Sequence, residues 1–535
     1  MTSKLRTTAK PRLTALLPLL ASAAWLGIAG LANAADLVIG TASEPSAMDP
    51  LFSRTGPNQN IAMQIFDRLV ETDAHLRMQP SLAESWAVVD PTTWRINLRK
   101  DARFQSGKPV TADDVAFSLE RARNVPNSPA PFSNNVSGVI SAKPVDATTL
   151  EVKTEAPTPD LMERIGFVYI LERASAEGKT LQDYNKGDGL VGSGPYKFKE
   201  WVPGDRVILT RNEGYWGPKP AFETVTIRFI ANDAARVAAL RSGAVDLIDG
   251  VPPADLPVLE KTAGIKVHAI PSARLIYLAL DTAREESPFV TDKDGKPLKP
   301  NPLRDLRVRQ ALAKLINVPA IVERLLNGAG VPAGQLVPEG VAGFDPALKP
   351  VVNDLAGAKA LLQQAGLKDG FGITIHSSND RFAGDKDIAQ AIGQMFSRGG
   401  IKVNGVMTQP YNVYASAASR QSFSAFIFSL GTTTPTAGPG MRNLFMTADS
   451  KAGTGGFNRA RYSNPAFDKA LAEALTQFDE SKRIAGIQAA ARTVFADLPV
   501  IPLYWQKIAW ASKANITFEA NMAEDTTAAR AGLAK

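Results

Sequence analysis

The chain has 535 residues, 44% of them hydrophobic and 21% charged, which excludes wholesale disorder and collagen-like chains and leaves room for several packed cores. It has no cysteine and only three histidines, His75, His268 and His376, far apart in sequence, which excludes disulfides, thiolate zinc sites, iron–sulfur clusters, cysteine nucleophiles and HExxH metal motifs. Four of the seven net positive charges, on Lys4, Arg6, Lys10 and Arg12, sit in the first 34 residues, which hold no acid, so the rest is nearly balanced and carries no nucleic-acid footprint.

The basic head is followed by an apolar stretch from Leu13 to Leu31 and then by Ala32-Asn33-Ala34, the small-x-small pattern of a signal-peptidase site. Residues 1–34 are expected to be removed, leaving Ala35 first. The alternative, an uncleaved anchor, rests on an apolar run of near-spanning length. No cysteine follows the run, so no lipid can be attached there. A soluble periplasmic protein is the expectation, because no later segment approaches about 18 unbroken apolar residues.

Residues 37–41 read as a buried strand, and Trp94, Ile96 and Leu98 alternate with polar residues as a half-buried one. Thr111 with Asp114 is a capping-box start for a helix through Ala122. Strands are expected at 207–209, 225–229, 265–267 and 275–280, with a turn at Pro271 between the last two. Val308, Ala311, Leu312, Leu315 and Ile316 recur at helical spacing. So do Leu355 to Ala365, stopped by Gly366, and Ile388 to Met395, stopped by Gly399-Gly400. Asn464-Pro465 opens another helix, with Phe467 through Phe478 lining one face. Strands at 373–375, 401–403 and 423–428 alternate with these helices, which predicts an α/β lobe. Residues 284–302 read as an exposed excursion, and 431–440 as a Gly/Thr/Pro-rich loop at the end of a strand, where α/β lobes place ligands.

Chemistry is scarce. Gly178-Lys179-Thr180 lacks the earlier glycine of a phosphate loop, since Arg173 stands there. Gly192-Ser193-Gly194 does not have the G-x-S-x-G spacing, and no serine has a lysine three positions later. Paired carboxylates that meet only in space stay open at this stage.

Several runs are similar to one family. They are IFDRLVETD (65–73), SLAESWAVVD (81–90), TWRINLRKDARFQSGKPVTADDVAFSLERA (93–122), GSGPYKFKEW (192–201), LRSGAVDLI (240–248), RVRQALAKLIN (307–317), RYSNPAFD (461–468) and LPVIPLYW (498–505). In order and spacing the chain resembles the family 5 extracellular solute-binding proteins of ABC importers, the dipeptide/oligopeptide/nickel-binding class, over roughly 35–518. The resemblance implies an α/β fold of type II (class C) periplasmic-binding-protein kind, with two lobes and an extra domain inserted in lobe one. Lobe one would comprise 35–72, 187–275 and 495–535, the inserted domain 73–186, and lobe two 276–494. It implies hinge closure on a peptide or peptide-like ligand and delivery to the permease and ATPase subunits of an importer. No catalysis, cofactor, metal or nucleic acid is implied, and a monomer is expected.

In peptide-binding members, the lobe-two loop carries an aspartate that pairs with the ligand's ammonium group. The matching stretch here, 429–440, reads SLGTTTPTAGPG and has no acid. A buried ammonium without a carboxylate is strongly disfavoured, so plain dipeptides are expected to bind poorly. Thr432, Thr433 and Thr434 offer uncharged donors and acceptors, or simply satisfy the loop backbone. Neutral hydroxylated groups or an anionic head suit them, as in modified peptides, opine-like conjugates or oligosaccharides. Ser43 and Glu44 follow the first strand, and Glu44 is the alternative partner for a ligand cation. Asn134, Tyr411, Tyr414, Arg442 and Asn458 lie in stretches resembling cleft-lining segments, with Arg442 suited to a carboxylate. The competing functions are a secreted hydrolase of peptide or glycan and a ligand-presenting receptor on the same fold.

Overall fold

The apolar runs of the sequence assemble into one mixed sheet of twelve strands. The structure is a computed structural model and describes residues 35–534; the expected signal segment lies outside them. At one end, Ala35–Thr41 pairs in parallel with Phe222–Phe229 and with Leu247–Ile248. At the other, Gly372–Ser378 pairs in parallel with Lys402–Gln409 and Ala425–Gly431.

Two long antiparallel strands, Ile265–Leu280 and Val500–Lys513, join these ends and belong to both. Pro271 lies opposite Lys507, but Leu275 lies opposite Trp505. The first strand therefore sets three residues, Ser272–Arg274, against one, Gln506, and such a bulge bends a strand. This corrects the expected turn at Pro271. A proline is tolerated there because the strand gains its second neighbour, Ala425–Gly431, only from Arg274 onward; before that it is an edge on that side.

Beyond the bulge the strand is buried on both faces. Leu275, Tyr277 and Ala279 enter one core and Ile276, Leu278 and Leu280 the other, the period-two alternation of a strand. The helices Leu306–Leu315, Leu355–Gln364 and Asp385–Arg398 pack on the second face. The helix Pro465–Leu475 stops short of Phe478, and a second helix, Glu480–Asp497, follows. Its buried face, Ile487, Ala490, Ala491, Val494 and Phe495, repeats at helical spacing. The expected loop 431–440 is also shorter than read, because Gly438–Phe445 is helical with Pro439 in its first turn.

The inserted segment has its own four-stranded antiparallel sheet, ordered Ala83–Asp90, Thr93–Leu98, Thr149–Thr154, Val139–Asp146. The helix Ala112–Ala122 covers it and starts with both halves of the Thr111–Asp114 capping box in place. Its core is continuous with that of lobe one, since Ile96 and Val152 belong to the same cluster as Leu37 and Val225. Gly192 and Gly194 belong to this junction. A Cβ on Gly192 would sit 1.9 Å from the Ile65 carbonyl oxygen, so close backbone approach requires the glycine.

Candidate functional site: the cleft between the lobes

The strand directions locate the cleft. Leu247–Ile248 runs antiparallel to Val500–Lys513, and Ala35–Thr41 runs with it. Their carboxyl ends, at Ala42–Glu44 and Asp249, therefore point back toward the bulge. Ala425–Gly431 runs antiparallel to Ile265–Leu280 and parallel to Gly372–Ser378, so Gly431 and Asn379–Arg381 point to the bulge from the other lobe. Carboxyl ends of parallel strands from both lobes thus converge on one hinge, the place where open α/β sheets bind ligands.

Two cavities lie at the boundaries of lobe two, the first of them against the hinge strands. One, of about 630 Å³, is lined by Asp233, Gly250 and Val251 of lobe one, by Asp380 and Arg381 of lobe two, and by Lys507 of the hinge strand. The other, of about 760 Å³, lies between the inserted domain and lobe two, with Trp94 and Glu163 facing Pro435, Thr436 and Arg483. The Trp94 ring packs 6.2 Å from that of Phe478 across this boundary.

Of the loop residues, Thr432 is 4% exposed and its hydroxyl has no partner. Its backbone N–H donates to the Ala273 carbonyl in the hinge bulge at 2.9 Å. Thr433 is exposed. The Thr434 hydroxyl donates to the Thr436 carbonyl at 2.9 Å, the backbone-satisfying role. Ser43 is exposed, and its carbonyl accepts from the Thr41 hydroxyl at 3.3 Å. Glu44 is also exposed and accepts from the Gly204 N–H at 2.7 Å.

Tyr411 is half-buried, with its N–H donating to Asp380 at 2.7 Å and the Arg381 guanidinium 5.0 Å over its ring. Tyr414 is 1% exposed, stacked between Phe423 and Phe428, with its hydroxyl donating to the Ile427 carbonyl. Asn458 is buried and ties Met446, Tyr462 and its own turn together. Arg442 is exposed and donates to the Ala452 carbonyl at 2.8 Å. Asn134 is exposed on the short helix Ser133–Val136.

Other charged residues at the cleft have no local sequence signature. Arg236 is buried, donating to the carbonyls of Ile230, Asp249 and Gly250 and pairing with Asp233 at 2.8 Å. It thereby fixes two of the strand ends that face the hinge. Burial pushes the Asp249 carboxyl up to about 6, although the nearby Arg236 lowers it. Arg274, in the bulge, pairs with Glu524 at 3.2 Å. Burial pushes Glu163 up to about 7, opposed by Arg483 3.7 Å away. Five carboxylates bordering the cleft are thus already partnered: Glu44, Glu163, Asp249, Asp380 and Glu524. Among the described residues, no group of three His, Cys, Asp or Glu side chains is placed to hold a metal ion. No helix among them is long and apolar enough to cross a membrane.

Two α/β lobes joined by shared strands, with strand ends converging on the crossing, define a periplasmic-binding-protein fold. The chain belongs to the bacterial extracellular solute-binding proteins, family 5, whose model matches residues 77–452. It is 28% identical over 495 residues to the glutathione-binding protein GsiB of Escherichia coli K12, covering 90% of this chain and 91% of that one. Among solved structures it resembles HbpA2 from Haemophilus parasuis, with a TM-score of 0.80, 24% identity, and coverage of 94% of this chain and all of that one. It also resembles AgaA from A. tumefaciens R10 in complex with agropinic acid, with a TM-score of 0.69, 23% identity, and coverage of 94% and 99%. Solute binding is therefore its function, as a member of an extracellular family.

Proposed function

We propose that the protein is the periplasmic substrate-binding component of an ABC importer, capturing a peptide-like solute between its lobes and handing it unchanged to the permease. The observation that carries this reading is the hinge. Ser272–Arg274 interrupts one of two shared strands where the strand ends of both lobes converge, the arrangement a closing cleft needs. The residues 73–186 act as a domain inserted in lobe one, and the chain passes between lobes at 272–274 and near Gln506.

The solute is a peptide-like molecule whose amino group is blocked or displaced from the usual position. The 432–437 loop has no acid, and Glu44, Glu163, Asp249, Asp380 and Glu524 are engaged with protein partners. Thr432 and Thr433 are the loop side chains assigned to the ligand, with Tyr411, Ser43 and Asn134 at the rim. Glutathione, bound by the relative GsiB, has a γ-linked first residue and fits this description. The test is calorimetry against reduced glutathione and a panel of free-amine dipeptides that includes Met-Leu. Glutathione, whose free α-ammonium is displaced by the γ-linkage, or an N-blocked peptide should bind at least tenfold tighter than the α-linked dipeptides. Equal or tighter dipeptide binding would refute the reading of the loop.

A further inference from the structure

The polar contact between the inserted domain and lobe two is small and specific. Glu163, on the short helix Leu161–Ile165, is 9% exposed. One carboxylate oxygen accepts from the Thr436 hydroxyl at 3.2 Å, and the other lies 3.7 Å from the Arg483 guanidinium. Thr436 ends the loop that starts at the hinge, and Ala342 forms a bridge with it. Arg483 is also held on its own side of the boundary by the Gln477 carbonyl at 3.0 Å.

We propose that Glu163 is a positioning residue of the cleft, which ties the 432–437 loop to the inserted domain across the lobe boundary and makes the seating of that domain on lobe two depend on pH. The geometry requires some such dependence. Seating takes a carboxyl out of water and gives it one hydroxyl and one cation at slightly more than contact distance, incomplete compensation for a buried charge. The charged groups around it are Arg483 and Glu480 on Glu480–Asp497, Asp160 at the start of its own helix, and Arg77, which lines the same cavity from the inserted-domain side. Asp160 and Glu480 oppose ionisation, and Arg483 favours it.

The sign follows from linkage. In the seated arrangement the carboxyl is pushed up to about 7, whereas once separated and hydrated it returns to the ordinary carboxylate range. Seating is then fully favoured at acid pH and loses that support as pH rises through about 7. Between pH 8.5 and 5.5 the ratio of seated to separated molecules should rise about 30-fold.

The experiment needs no ligand. The chain lacks cysteine, so Glu155→Cys and Lys482→Cys, at exposed positions on the two sides, accept a dye pair for single-molecule energy transfer. The seated population of the labelled protein should grow as pH falls through 7. Adding Glu163→Gln, which keeps the hydrogen-bond acceptor without the charge, should leave it high and flat from pH 5.5 to 8.5. Adding Glu163→Ala should leave it flat and lower. A profile as steep in Glu163→Gln as in the parent, or no pH response in the parent, would overturn the proposal. Neither result bears on which solute binds, so it stands apart from the proposed function.

Discussion

Arg274 lies directly opposite Gly431 in the ladder between the hinge strand and the strand before the ligand loop, and its guanidinium covers the bare α-carbon. A Cβ at 431 would come within 3.2 Å of Nη2. The obstacle is the mobile end of a side chain held only by a partly exposed ion pair with Glu524. Such a pair contributes about 0.2–1 kcal/mol. Gly431→Asp should therefore fold and draw Arg274 away from Glu524. In a double-mutant cycle read by urea unfolding, Glu524→Ala should then cost less in Gly431→Asp than in the parent. Equal costs in both backgrounds would show that Arg274 does not move.

Neighbouring threonines should respond differently to the same change. Thr432 is buried and Thr433 exposed. Thr432→Asp places a carboxylate in a closed site and should cost about 2 kcal/mol or more, whereas Thr433→Asp should stay within about 0.5 kcal/mol of the parent. Thr433→Asp should also raise affinity for free-amine dipeptides roughly tenfold, the scale of a charge-assisted hydrogen bond. Thermal unfolding and calorimetry on both variants separate the stability effect from the binding effect.

The contrast shows what the sequence carries and what it leaves out. The capping box at Thr111 and the Asn464-Pro465 helix start were legible because each depends on residues three or fewer apart. Period-two alternation likewise marked Trp94 to Leu98. The shared strand across Pro271 was not legible, because a proline inside a strand is decided by whether a neighbour lies on its N–H side. The helix Glu480–Asp497 has the same local spacing, from Ile487 to Phe495, and needed only the break after Leu475 to separate it from the helix before it. At the site, the family runs located the loop after Ala425–Gly431, but the partners that give it character are remote. Arg274 and Glu524 are 250 positions apart, and Glu163 and Thr436 are 273.

Arg236 offers a test of how the lobe-one side of the cleft is held. It is the only cation bonded to the carbonyls of Ile230, Asp249 and Gly250 among the described residues. Arg236→Met keeps an unbranched stem but strands those carbonyls and the Asp249 carboxyl 3.6 Å away, which is much less exposed than Asp233. It should cost about 3–5 kcal/mol, as removing one partner of a buried ionic cluster does, and hydrogen exchange should rise at 230–233 and 249–251. A change within about 1 kcal/mol would mean that water replaces the guanidinium there.

His376 sets an acid limit on stability. It is buried with Phe423 stacked 4.2 Å away and Phe289 at 4.8 Å, and its Nδ1 has no partner. Burial lowers it to about 4, so the folded state binds this proton less readily than the unfolded chain. Its contribution is complete above about pH 6.5 and is lost as pH falls through 4, up to about 3 kcal/mol. His376→Phe should therefore raise the urea midpoint relative to the parent at pH 4.5 more than at pH 8. A gain independent of pH would assign the effect to packing instead.

The central claim, that a peptide-like solute is held in the interlobe cleft and released unaltered, is tested most directly by native mass spectrometry. The protein would be incubated with reduced glutathione and with the dipeptide panel, sprayed intact, and the released molecule weighed. The account predicts a one-to-one adduct with the blocked or γ-linked peptide, no stable adduct with Met-Leu, and a released mass identical to the mass added. A cleaved or otherwise converted product, or no adduct with any peptide tested, would contradict it.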